Sequence, residues 1–135
     1  MAIIQWSDRF SVKIQQIDNQ HKKWVDIINR LHDAMVGGKG ADVIGSVLLE
    51  VVNYGKMHLD YEEQLMAKYG YPDLAAHKFE HDVLKKKIAD LHAKFQAGNK
   101  FLTLDVMNML KDWLMQHIEG VDKKYTEHFL AKGLS

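Results

Sequence analysis

Eight histidines occur in this 135-residue chain, and five of them fall where a helical core should carry apolar side chains. One stripe reads His21, Trp24/Val25, Ile28, Leu31, Met35, and a second Val47/Leu48, Val51, Gly55, His58, Glu62, Leu65/Met66. A third reads Leu74, His77, His81, Leu84, Ile88, Leu91, Phe95, and a fourth Leu102, Val106, Met109/Leu110, Trp113, His117. Each follows the i, i+3/i+4, i+7 rhythm of a buried helix face. Imidazoles and carboxylates buried without partners are costly. A metal centre in the middle of a helical bundle would satisfy nearly all of them at once.

Spacing refines this. Residues i and i+4 lie ~40° apart and ~6 Å along a helix, so both can reach one ion. His77 and His81 are so related, as are His58 and Glu62. Neither pair is specific alone; their conjunction on four aligned stripes is. His117 and Asp122 are five apart, which on an unbroken helix is an offset of ~140°. Gly120 lies between them, where a helix could end or unwind and turn Asp122 inward. His21 adds an imidazole from the first stripe. Five His supply five bonds, two carboxylates that each bridge two metals supply four, and a bridging oxygen two. That makes eleven, where two octahedral ions need twelve. If His77, His81 and His117 share one metal, the other, with His21 and His58, keeps one position open for a small ligand. Imidazole suits Zn, Cu, Fe and Ni, whereas bridging carboxylates at octahedral ions favour Fe or Mn. Zinc prefers fewer ligands in a tetrahedron.

The elements that must position these groups follow from the same periodicity. Residues 1–17 read as an extended arm with Trp6, Phe10, Val12, Ile14 and Ile17 available to pack. Asp18 is a suitable N-cap for a helix over 18–36, closed by Gly37-Gly38-Lys39-Gly40. That cluster is no phosphate loop, since Gly rather than Ser or Thr follows Lys39 and no strand precedes it. A second helix is predicted over 41–69 and turns at Gly70-Tyr71-Pro72. A third, capped by Asp73, covers 73–97, and a fourth, capped by Thr103, covers 103–119. A short segment over 121–132 ends the chain. The expectation is an all-α, up-down-up-down four-helix bundle in a single domain over 1–135.

Composition excludes several classes. Eighteen basic and eighteen acidic residues give no net charge. The densest basic clusters, Lys85-Lys86-Lys87 and Lys123-Lys124, are too short for a nucleic-acid face. There are no cysteines, hence no disulfide, thiolate metal site, iron–sulfur cluster or Cys nucleophile. No signal pattern opens the chain and no apolar run approaches the ~20 residues of a membrane helix. A soluble cytoplasmic protein is expected, and the well-charged faces favour a monomer.

Longer motifs carry a family resemblance over about Trp6 to Phe129. They are Ile17-Asp18-Asn19-Gln20-His21, His58-Leu59-Asp60-Tyr61-Glu62-Glu63, Tyr71-Pro72-Asp73-Leu74-Ala75-Ala76-His77-Lys78-Phe79-Glu80-His81 and His117-Ile118-Glu119-Gly120-Val121-Asp122. The chain resembles the hemerythrins, in particular their single-domain bacterial members (bacteriohemerythrins), and all seven iron-ligand positions of that family carry the expected residue type. The resemblance implies a non-haem di-iron O2 carrier or store, not an enzyme. It implies two iron ions (Fe2+/Fe3+) joined by an oxo or hydroxo bridge. His77, His81 and His117 would hold the saturated iron, His21 and His58 the five-coordinate iron that binds O2 as hydroperoxide, and Glu62 and Asp122 would bridge. Trp24, Leu59, Trp113, Leu114 and Ile118 would line the O2 pocket, with Trp24 larger than the aliphatic residue common in animal members. An oxygen-consuming enzyme is one recipient such a carrier could serve, though no residue names one.

Two other classes compete. A di-iron oxidase would use paired Glu-x-x-His motifs, and this chain has none. An O2 or iron sensor would need a partner to signal to. His32 and His92 lie eleven residues beyond His21 and His81, ~16 Å along the axis, and read as rim or surface residues, as does His128. Glu63 points ~100° from Glu62, where it would support a ligand from behind or meet solvent. Tyr61, Tyr125, Met66, Met107, Met109 and Met115 read as core packing.

Overall fold

In the computed structural model the described residues are 3–39, 41–98 and 104–135. They form an all-helical four-helix bundle. Its helices are α1 (Gln15–Val36), α2 (Ala41–Lys68), α3 (Leu74–Gln96) and α4 (Leu104–Gln116). A π-helical turn (His117–Val121), a 3-10 turn (Asp122–Tyr125) and the short α5 (Thr126–Ala131) complete the chain. The expected cap Thr103, the stripe residue Leu102 and the Val106 side chain lie outside what is described. Helix α1 packs along α2 and α2 along α3; α4 closes against α1, while the π turn meets α3. No helix among the described residues is long and apolar enough to cross a membrane.

Helix α1 begins earlier than its sequence suggests. Its N-cap is Ile14, and Asp18 sits in the first turn rather than capping it. The Asp18 carboxylate is used elsewhere. It accepts the Ser11 hydroxyl at 2.5 Å and the Val12 amide at 2.8 Å, fastening the arm to the helix. The arm is thus shorter than expected, ends before Gln15, and contains a 3-10 turn at Asp8–Phe10. Thr126 Oγ1 donates to the Val12 carbonyl at 2.9 Å, so α5 is tied to the same arm. Asp73 does occupy the cap position of α3, but its side chain makes no capping bond. At the preceding turn Gly70 takes a φ of 65°, which a side chain would strain.

Two apolar clusters fill the bundle. One holds Trp24, Ile28, Leu31, Leu48, Val51, Leu59, Leu84, Leu110, Leu114 and Ile118 among others. The other, towards the arm and α5, holds Val12, Ile14, Ile17, Met66, Tyr71, Tyr125 and Phe129. Between Ile17 and Trp24 on α1 lies His21, and between Leu59 and Met66 on α2 lies Glu62. The polar groups therefore occupy a layer between two dry ones. Leu110, not Met109, faces this core; Met109 is half exposed, ~100° round the helix from Leu110 and on its outer side.

Candidate metal centre

All seven expected ligand residues are buried, each 6% exposed or less. The structure gathers them into two groups that share one member. His77, His81, His117 and Asp122 form one; His21, His58, Glu62 and Asp122 form the other. Within each group the donor atoms lie within 4.8 Å of one another.

Each carboxylate turns one oxygen to each group. Asp122 Oδ1 lies 3.0 Å from His77 Nε2 and 3.1 Å from His117 Nε2, while its Oδ2 lies 3.1 Å from His21 Nε2. Glu62 Oε1 lies 2.5 Å from His58 Nε2 and 3.6 Å from His21 Nε2, while its Oε2 lies 3.8 Å from His77 Nε2. Most of these contacts are close without being aligned as hydrogen bonds. Both Glu62 oxygens, Asp122 Oδ2 and the Nε2 atoms of His21, His58, His81 and His117 are fully buried with no hydrogen-bond partner. Buried polar atoms in native proteins are ordinarily paired. Seven unpaired ones aimed at two common points fit cations held between them, with imidazole and carboxylate the donor types for a first-row transition metal.

The π turn is what brings Asp122 in. The Asp122 amide donates to the His117 carbonyl five residues back, so the turn is one residue wider than an α turn. Residues five apart are then brought towards the same face, and most of the ~140° offset of a regular helix is removed. The chain does not end or unwind at Gly120, as its sequence suggested. It stays helical, and a Cβ at Gly120 would meet nothing within 4 Å.

Electrostatics follow from these contacts. Burial would lower the pKa of His21, but Asp122 and Glu62 outweigh it and hold it at about 9. Burial and Asp122 would raise Glu62, yet His58 and His21 bring it down to about 2. Asp122 is likewise held well below the usual carboxylate range against its burial, chiefly by His117. Burial dominates at His81 and lowers its pKa. The Tyr125 hydroxyl, fully buried beneath Glu62 and Asp122, is pushed well above the tyrosine range by its burial first and then by those two charges. Its ring stacks on His77 at 5.4 Å.

The backs of two imidazoles are held from behind. His58 Nδ1–H donates to Gln20 Oε1 at 2.7 Å, and His81 Nδ1–H to Glu63 Oε2 at 3.0 Å. Both rings thereby turn their Nε2 lone pair to the centre. Lys85 Nζ lies 3.5 Å from Glu63 and donates to Asp60 at 2.7 Å. Of these partners only Glu63 was visible as a candidate in the sequence. Gln20 and Tyr125 were not; Gln20 is one residue off the α1 stripe, and only the placement of α2 decides which neighbour meets it.

The apolar residues expected to wall a ligand pocket divide. Trp24, Leu59, Leu114 and Ile118 are buried, and the Trp24 ring centroid lies 5.7 Å from that of His58. Trp113 is half-buried and lines a cleft of about 290 Å³ with Glu80, Leu84, Lys87 and His117, under the Lys87 ammonium at 4.7 Å. His32, His92 and His128 lie half-buried outside both groups, and His128 donates to the Tyr69 carbonyl at 2.7 Å.

Comparison with known proteins adds an independent line. A family model described as the hemerythrin HHE cation binding domain matches residues 12–128. A bacteriohemerythrin of Methylococcus capsulatus is 41% identical over 93% of this chain and 95% of its own length. One of Stenotrophomonas maltophilia is 38% identical over 97% of this chain and 84% of its own length. A crystal structure described as wild-type hemerythrin matches at a TM-score of 0.88 and 40% identity, covering 93% of this chain and 97% of that one.

Proposed function

The chain belongs to the hemerythrin family, and from that premise we propose that it binds O2 reversibly at a di-iron centre, as a carrier or store. The observation that supports this most is the pair of buried donor groups joined by two carboxylates that each face both. His77, His81 and His117 would hold one iron, His21 and His58 the other, and Glu62 and Asp122 would span them. When bound, two irons with an oxo or hydroxo bridge supply two one-electron donors side by side, enough to hold O2 reversibly.

The chain's own residues would do the rest. Two buried carboxylates offset much of the charge of two divalent ions, which lowers the cost of keeping cations out of water. Gln20 and Glu63 orient His58 and His81 from behind. With three imidazoles on one side and two on the other, the His21/His58 side keeps the position open to a small ligand. Trp24, Leu59, Leu114 and Ile118 would present a dry wall that excludes water and retains a bound O2. Five neutral imidazoles donate less charge than the carboxylate-rich sites of di-iron oxidases, which favours a carrier over a catalyst.

The test is to load the protein with Fe(II) without oxygen, admit O2, follow the visible spectrum, and purge. A charge-transfer band that appears with O2 and vanishes on purging is the expected result. Irreversible bleaching, or iron bound with no band, would refute a carrier role.

A further inference from the structure

The two halves of the centre are supported unequally. Behind His58 stands a neutral amide, Gln20, buried at 7% exposure. Behind His81 stands a carboxylate, Glu63, whose side chain is 16% exposed and beside the Lys85 ammonium. Lys85 in turn is fastened to Asp60 at 2.7 Å. One dipeptide on α2 thus does two jobs. Glu62 faces both donor groups, and Glu63, ~100° further round the helix, reaches the back of His81 on α3. Lys85 lies one helical turn after His81 and closes the network. Among the described residues, no other imidazole of the centre has a carboxylate behind it that is not also a proposed ligand.

A carboxylate accepting from Nδ1–H draws the proton towards itself and makes Nε2 the stronger donor. An amide does so much less. Asp60 and Glu63 share the single Lys85 ammonium, so the network keeps a net negative charge behind His81, which also favours a trivalent over a divalent ion. We infer that Glu63 is a positioning residue that strengthens His81 and so makes the His77/His81/His117 half the preferred seat of ferric iron, while Gln20 leaves the His21/His58 half the more easily kept ferrous. The inference rests on the di-iron reading. It extends that reading by giving the centre a built-in redox asymmetry, with the side open to a small ligand being the side biased towards Fe(II).

The experiment compares the iron-loaded wild type with Glu63→Gln and Gln20→Glu, measuring iron content and the two one-electron potentials by spectroelectrochemistry. Glu63→Gln keeps shape and removes charge. A supporting partner of this kind is worth about tenfold in metal affinity. If that loss falls on Fe(III), the potential of one iron rises by ~59 mV. Gln20→Glu is expected to lower the potential of the other iron by a similar amount, so that the double variant reverses the order of the two. Where Glu63→Gln fails to fold, Gln20→Glu decides alone, since it leaves His81 and Glu63 intact. Two irons bound with potentials unmoved in the folded variants overturns this inference and leaves the di-iron reading standing. A wild type that takes up no iron overturns both.

Discussion

Replacing Gly55 with alanine should destabilise the protein, although the same change in a helix interior usually stabilises. Alanine is worth up to ~1 kcal/mol over glycine at such a position. Against this, a Cβ on Gly55 would lie 2.4 Å from Trp24 Cζ2, 2.9 Å from Cε2 and 3.2 Å from Cη2. Carbon atoms in contact prefer ~3.5–4.0 Å, so the indole and α2 must part by about 1 Å. The indole cannot swing away. It is 1% exposed, its Nε1 donates to the Val51 carbonyl at 3.1 Å, and it packs beside His58. Overpacking of this kind costs ~1–3 kcal/mol, and straining the indole bond adds to it. The net loss should be about 1–3 kcal/mol, a fall in Tm of roughly 4–12 °C for a domain of this size. Thermal denaturation of metal-free and iron-loaded protein measures it. Trp24→Phe removes the atoms that clash, so the double variant should lose less than the sum of the two single losses. Gly45→Ala is the control: its Cβ meets only the edge of Phe95 at 3.0 Å, and that half-buried ring can give way. A Gly55→Ala protein as stable as the wild type, or more so, would refute the close packing of Trp24 on α2.

Two further outcomes follow from the buried charges and the arm. His21, with its pKa raised from 6.5 to about 9, stabilises the metal-free fold fully below pH 6.5, and that contribution is lost as the pH rises through 9. Metal-free protein should therefore lose on the order of 3 kcal/mol between pH 6.5 and 9.5, and metal-loaded protein, whose His21 is neutral throughout, should not; a metal-free Tm flat over that range would sink the ion cluster. Asp18→Ala should cost about 1.5–3 kcal/mol and expose the arm to proteolysis, because a carboxylate accepting two bonds is lost; an unchanged Tm and digestion pattern would show that the arm is held by its apolar contacts alone.

Much of this fold was legible because helical periodicity and ligand chemistry pointed to the same residues. His21, His58, Glu62, His77 and His81 stand on stripes that are otherwise apolar. A polar residue on such a stripe is informative because burial forces it to find a partner. The readings that failed did so where local rules and tertiary contacts compete. Asp18 has the chemistry of a cap, but Val12 and Ser11 of the folded-back arm present a donor pair that is better placed. The wide turn at His117–Val121 has no local signature, since Gly120 could end a helix as readily as continue one. What selects the π turn is energetic: with the regular offset, Asp122 would miss the layer in which His21, His77 and His117 wait for an acceptor. The same logic explains why Gln20 was invisible. An amide beside a stripe reads as solvent-facing until the crossing of α1 and α2 puts His58 Nδ1 within 2.7 Å of it. The positions that meet the centre first are written in periodicity. The groups that tune it are written in helix–helix geometry, which a single helix does not carry.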